Sequence, residues 1–355
     1  MSRFWSSRVH SLHPYTPGEQ PKGSDLLKLN TNESPFPPSD RVLDAIRSTT
    51  GTQLLRYPDP NATELKQALA DAVGLSPDQV FLGNGSDEVL AHVFHGLLAR
   101  GSGRLLLPDI SYSFYPVWCQ LYQLAFEQVP LRDDFSIGIE DYAGDAASVL
   151  LANPNAPTGV ALPLSAIRRL VEASSDRLVV IDEAYIDYGA QSAVPLIKEF
   201  DNLLVVQTLS KSRALAGMRI GMAFGQLPLI AGLERVKDSF NSYPLDVLAQ
   251  RAGVAAVQDK SWLEESRSAV VRLRSQLSSD LETLGFRVLP SQGNFVFVEH
   301  KDKAGKDLFD QLREQGIIVR RWDKPRIENF LRISVGTQEQ MQRLVAALSS
   351  IVAGH

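Results

Sequence analysis

The chain has 355 residues, 44% of them hydrophobic, and carries 36 lysines and arginines against 41 acidic residues for a net charge of −5. This supports one large domain with a buried core plus a smaller one and sets intrinsic disorder aside. The mildly acidic balance offers no general attraction for nucleic acid or anionic membranes, and no run approaches the roughly 20 apolar residues that span a bilayer.

Pro14, Pro17, Pro21 and Pro35, with little periodicity between them, predict an extended N-terminal arm over 1–35. Asn61-Ala62-Thr63-Glu64 reads as a capping box, and Leu65, Leu69 and Ala72, closed by Gly74, predict a helix. Val80-Phe81-Leu82 predicts a strand running into Gly83-Asn84-Gly85-Ser86-Asp87, after which Val89, Leu90, Val93, Phe94, Leu97 and Leu98 recur at helical spacing. The alternation continues with strand 104–107, helix 111–124, strand 148–152, helix 164–174 and strands 178–181 and 203–209. This order predicts an α/β fold whose mixed, mostly parallel sheet is flanked by helices. Past Tyr243 come long amphipathic helices, including 262–284, then strands 286–289 and 294–298, a helix 306–315 and a strand 330–335. They predict a smaller α+β domain, so the division is an arm over 1–35, a large domain over 36–245 and a small domain over 246–355.

The chemistry centres on Lys211, which follows the apolar run 203–209 in Ser210-Lys211-Ser212-Arg213. A lysine at the carboxyl end of a buried strand, partly desolvated, can form a Schiff base with a carbonyl. Asp182 closes strand 178–181 and faces the same crevice. A carboxylate that keeps a pyridine nitrogen protonated, paired with a Schiff-base lysine, is what pyridoxal 5'-phosphate requires. Tyr185 is placed to hydrogen-bond the ring's phenolate oxygen, Asn155 is a second candidate for that contact, and Tyr112 offers an aromatic face to the ring. Gly85, Ser86 and Asp87 open a helix and supply backbone N–H groups for the cofactor phosphate, with Ser210 and Arg219 as further contacts.

Two negative expectations accompany these. His92 and His95 lie three apart on a helix without a carboxylate or cysteine to complete a ligand set, so no metal site is expected. The single cysteine, Cys119, cannot form an intramolecular disulfide, and Met1-Ser2-Arg3-Phe4-Trp5 lacks an apolar signal core, which makes the cytoplasm the expected address.

Taken in order, Leu29-Asn30-Thr31-Asn32-Glu33, Arg56-Tyr57-Pro58-Asp59, the 83–87 turn, Asn153-Pro154-Asn155-Ala156-Pro157-Thr158-Gly159, Asp182-Glu183-Ala184-Tyr185, the 210–221 loop and Leu331-Arg332-Ile333-Ser334-Val335-Gly336 resemble the class I/II aminotransferases of fold type I. Within them the resemblance is greatest to the histidinol-phosphate aminotransferase branch, over nearly the whole chain. It implies a ping-pong transamination in which Lys211 holds the cofactor and shuttles the proton. It also implies a homodimer with shared sites, in which Tyr57 reaches the neighbouring subunit's cofactor phosphate and the arm packs on the small domain and the partner. Arg332 is implied to bind the substrate anion, Arg320 the substrate phosphate and Tyr15 the substrate. Two departures stand out: Ala156 occupies a position where many relatives have a second asparagine, and 240–246 differs from the branch's proline-tyrosine-asparagine segment.

The expected activity is conversion of histidinol phosphate and 2-oxoglutarate to imidazole-acetol phosphate and glutamate. An aromatic amino-acid aminotransferase and a related decarboxylase are the same-fold alternatives. A non-catalytic ligand sensor is disfavoured because no basic helix-turn-helix region is appended, and a nicotinamide dehydrogenase because 83–87 lacks the Gly-x-Gly-x-x-Gly turn.

Overall fold

The computed structural model describes residues 3–21, 23, 25–99, 103–144 and 146–354. Its strands are β1 (Leu27–Lys28), β2 (Val80–Asn84), β3 (Leu105–Pro108), β4 (Phe126–Val129), β5 (Ser148–Ala152), β6 (Leu178–Asp182), β7 (Leu203–Thr208), β8 (Ile220–Gly225), β9 (Phe286–Val288), β10 (Phe295–His300), β11 (Ile317–Ile318), β12 (Arg320–Arg321) and β13 (Phe330–Ser334). Seven of them form one sheet in the order β2-β8-β7-β6-β5-β3-β4. β4, β3, β5, β6 and β7 run parallel, and β8 runs antiparallel to both of its neighbours.

The central strands are apolar at nearly every position because both faces are covered. Val149, Leu151, Val179, Ile181 and Val205 pack with Leu65, Leu69, Ile167, Leu170, Ala249 and Ala252 on one face. On the other, Leu150, Val180, Leu204 and Val206 pack with Val89, Val93, Trp118, Ile230 and Leu233. Each fully buried Val or Leu contributes roughly 1.5–3 kcal/mol to holding the layers together. The chain therefore exposes polar chemistry where the strands end, and in such sheets the carboxyl ends make the ligand crevice.

The helix Lys260–Thr283, about 36 Å long, leads into an antiparallel sheet of order β12-β13-β10-β9. β1 pairs in parallel with β11, so residues 27–28 of the expected arm are part of this second layer. Ser7–Ser11 forms a short helix capped by Ser6, and the arm is thus not extended throughout.

The capping box expected at 61–64 is also corrected. The helix Thr63–Val73 starts after Ala62 at φ 45°, and its first N–H group is served from further back: Asp59 accepts from Thr63 N at 2.8 Å and, ahead of the helix, from Asn61 N at 3.0 Å. The expected helix 111–124 is shorter, Tyr115–Tyr122, because Pro116 sits in its first turn and 111–114 turn toward the crevice. Among the elements without a sequence expectation are β4, β8 and the helices Asp40–Arg47 and Leu227–Phe240.

Candidate active site

A cavity of about 430 Å³ lies at the strand ends, between the large sheet and the second layer. Of the candidate residues, Tyr15, Ser86, Asp87, Tyr112, Asp182, Tyr185, Ser210, Lys211, Arg219, Arg320 and Arg332 line it. They arrive from the ends of β2, β3, β6 and β7, from the arm, and from β12 and β13 of the other layer.

One end is built from glycine. Gly85 opens the helix Gly85–Val93 at φ +82°, and a Cβ there would lie 2.3 Å from Arg219 Nη2. A Cβ on Gly221 would lie 2.3 Å from both Gly85 C and Ser86 N, so β8 and the helix start meet backbone to backbone. Arg219, itself at φ 52°, spans this contact and donates to Asp87 Oδ2 at 3.1 Å. Tyr112 donates its hydroxyl to the other Asp87 oxygen at 3.0 Å, and Thr208 donates to Ser210 Oγ at 2.9 Å. A helix N-terminus, a guanidinium and a hydroxyl at one corner suit a phosphate.

Asp182 lies deeper in the site. Tyr115 donates to its Oδ2 at 2.7 Å and Ala184 N to its Oδ1 at 3.2 Å. Burial raises the carboxyl to about 6, against the opposing effect of these hydrogen bonds and with a further push from Asp87. Among the described residues no cation forms an ion pair with it, so the cavity-lining carboxylate lacks the partner that a protonated ring nitrogen would be. Lys211 Nζ donates to Thr31 O at 3.1 Å and stands 5.6 Å from the centre of the Tyr185 ring. The Tyr185 hydroxyl accepts from Asn32 Nδ2 at 3.0 Å, and its ring meets Phe295 edge-on at 5.0 Å. Glu33 pairs with Lys28 and accepts from Thr31 Oγ1 at 2.8 Å. Burial alone would raise this carboxyl, but the bonds from Lys28 and Thr31 and the nearby Lys211 charge outweigh it and hold it below the usual range.

The opposite wall is cationic. Arg332 donates to Asn30 O at 2.8 Å while its Nε is buried without a partner, and burial lowers the guanidinium from its ordinary value. Arg320 donates to Thr16 O at 3.4 Å. Tyr15 lies over this side, 4.7 Å from Phe114 between ring centres.

Asn155 is buried beside the cavity and not in its wall: its Oδ1 accepts from Ser111 at 2.8 Å, and its Nδ2 donates to Ile110 O at 2.9 Å and Thr158 Oγ1 at 3.1 Å. These bonds organise the 153–159 turn. Gly85 is adjacent to the cavity rather than in its wall, and Tyr57 is exposed, stacked on Tyr243 at 4.8 Å. Sequence reasoning passed over Tyr115, whose spacing three residues after Tyr112 was the available signal, and Asn32, which lay unassigned inside Leu29-Asn30-Thr31-Asn32-Glu33. It also passed over Trp322, which follows β12 and lines the cavity.

A family profile described as aminotransferase class I and II matches residues 24–348. The chain is 56% identical over 352 residues to histidinol-phosphate aminotransferase 1 of Bradyrhizobium diazoefficiens, an alignment covering 99% of this chain and 100% of that protein. It is 54% identical over 349 residues to histidinol-phosphate aminotransferase of Pseudomonas putida, covering 98% of this chain and 100% of the relative. The crystal structure of histidinol-phosphate aminotransferase from Sinorhizobium meliloti, in complex with pyridoxal-5'-phosphate, superimposes with a TM-score of 0.89 at 27% identity, covering 99% of this chain and 98% of that one.

Proposed function

The chain belongs to the aminotransferase class I and II family, and from that membership we propose that it transfers the amino group of L-histidinol phosphate to 2-oxoglutarate, with pyridoxal 5'-phosphate as cofactor. The products are imidazole-acetol phosphate and L-glutamate, and the reaction belongs to histidine biosynthesis. The observation that carries the reading is the wall opposite Lys211. Arg320 and Arg332 face the cavity with hydrogen bonds only to backbone carbonyls among the described residues, leaving two cations for a substrate anion.

The residues present fit the cofactor. The glycine-built corner with Ser86, Ser210 and Arg219 would hold its phosphate, Asp182 its ring nitrogen, Tyr185 its ring oxygen and Tyr112 its ring face. When bound, the cofactor supplies an electron sink for the pair left when the substrate's α-carbon loses its proton. Lys211 Nζ is the amine that holds the cofactor and the base that carries that proton off the α-carbon. Tyr115 keeps Asp182 fixed, and Asn32 orients the Tyr185 hydroxyl. Arg320 and Arg332 grip the phosphate of one substrate and a carboxylate of the other, since guanidinium geometry suits both anions.

The proposal extends to a homodimer. Leu54, Leu55, Tyr57, Phe240 and Tyr243 are exposed apolar side chains. Gln250 ties the two aromatic loops by donating to Asp59 O at 2.8 Å and Leu245 O at 3.1 Å. Asn84, beside Gly85, donates to Pro244 O at 3.2 Å, so the Tyr57–Tyr243 pair is anchored next to the phosphate corner and fits a role in a partner's site. Among the described residues no helix is long and apolar enough to cross a membrane. The one cysteine, buried Cys119, fits a cytoplasmic setting.

Borohydride treatment in the presence of pyridoxal 5'-phosphate, followed by peptide mass spectrometry, tests the assignment of the anchor. The label is expected on Lys211 alone; a label spread over surface lysines with Lys211 unmodified would contradict it.

A further inference from the structure

Arg320 and Arg332 are directly opposite one another on antiparallel β12 and β13. Like charges in that position repel, and an ordinary sheet would place a carboxylate between them. None forms an ion pair with either one among the described residues. An indole is there instead. The guanidinium carbon of Arg320 lies 5.5 Å from the centre of the Trp322 ring, and that of Arg332 lies 5.2 Å from it. Phe295 adds a second ring 5.5 Å from Arg332. The Trp322 ring is itself braced: it meets Phe297 at 72° with 6.3 Å between centres, and it packs against the apolar cluster that includes Phe135, Ile327 and Phe330.

An aromatic face attracts a guanidinium through its quadrupole without cancelling the charge. A carboxylate in the same place would hold the arginines together but neutralise what the substrate needs. Resting on the substrate reading above, we propose that Trp322 is the positioning residue that holds Arg320 and Arg332 side by side, charged and unpaired, as a seat for a phosphate dianion. The buried, unpartnered Nε of Arg332 and the place of Trp322 in the cavity wall agree with that role. A dianion draws on both cations, whereas a carboxylate is satisfied by one bidentate guanidinium. The effect of Trp322 is therefore larger for a phosphate-bearing substrate than for 2-oxoglutarate.

The test uses Trp322→Leu and Trp322→Phe in protein loaded with pyridoxal 5'-phosphate, so that the cofactor's own phosphate corner is filled. Inorganic phosphate is titrated by calorimetry, and KM and kcat are measured for histidinol phosphate and 2-oxoglutarate. Trp322→Leu is expected to weaken phosphate binding and raise the histidinol phosphate KM by about tenfold, with smaller changes in kcat and in the 2-oxoglutarate KM. Trp322→Phe, which keeps a ring, is expected to recover most of the affinity. Unchanged phosphate affinity in a folded Trp322→Leu protein would overturn the proposal. So would a tenfold loss in Trp322→Phe, which decides the matter even where the leucine variant melts early. Wild-type protein that binds inorganic phosphate but does not turn over histidinol phosphate would defeat the substrate reading alone, and the Trp322 assignment would still be decided by the phosphate titration.

Discussion

Asp182 is a buried carboxyl held in place for a cation. Its carboxyl rises from 3.8 to about 6 because burial costs the charged form more than Tyr115 and Ala184 return. Between those values the folded protein holds a proton that the unfolded chain has lost, so the contribution of this carboxyl to stability falls as pH rises from about 4 to about 6 and is constant beyond. The shift corresponds to about 3 kcal/mol. Neighbouring Glu183 is also raised, to about 7, by its own burial, and adds a similar fall at slightly higher pH. Asp182→Asn separates the two. In cofactor-free protein, chemical denaturation of this variant should show a loss of stability over that window smaller than the wild type's by about 3 kcal/mol. An equal loss in both proteins would mean that Asp182 titrates normally. A protonated ring nitrogen beside Asp182 reverses the sign, because an adjacent cation favours the carboxylate.

Among the elements, what the sequence made legible follows from where the physics is local. The parallel strands β5, β6 and β7 are short apolar runs bounded by polar turns, and that pattern alone puts the residues that close or follow them, including Asp182 and Lys211, at one edge of the sheet. β8 was not legible: Ile220–Gly225 contains two glycines and no alternation, and Gly221 is there for the backbone contact with Gly85, which only the folded chain reveals. The helix start at Thr63 misled for a similar reason, since its first N–H group is served by Asp59 across a left-handed Ala62 rather than by the nearest polar residue. Asn155 follows an expected strand, and its amide bonds Ser111, Ile110 and Thr158 in the turn after it. No spacing rule tells whether an amide faces a cavity or its own turn. Trp322 was hidden because its partners, Arg320 and Arg332, meet only through the pairing of β12 and β13.

In the molecule as a whole, two layers meet over the candidate site, and an apolar face remains open beside it. Leu54, Leu55 and Tyr57, with Phe240 and Tyr243, would be costly to leave in water, and in the proposed homodimer a second copy of the chain would cover them and bring Tyr57 toward a neighbouring phosphate corner. Light scattering of the purified protein should give twice the chain mass, and Leu55→Asp should shift it toward one; wild-type protein at a single chain mass would remove the shared-site proposal. Cofactor-loaded protein mixed with histidinol phosphate and 2-oxoglutarate, with products quantified by mass spectrometry, should yield imidazole-acetol phosphate and glutamate in equal amounts, and none with Lys211→Ala. Turnover of phenylalanine without turnover of histidinol phosphate, or release of carbon dioxide in place of glutamate, would contradict it.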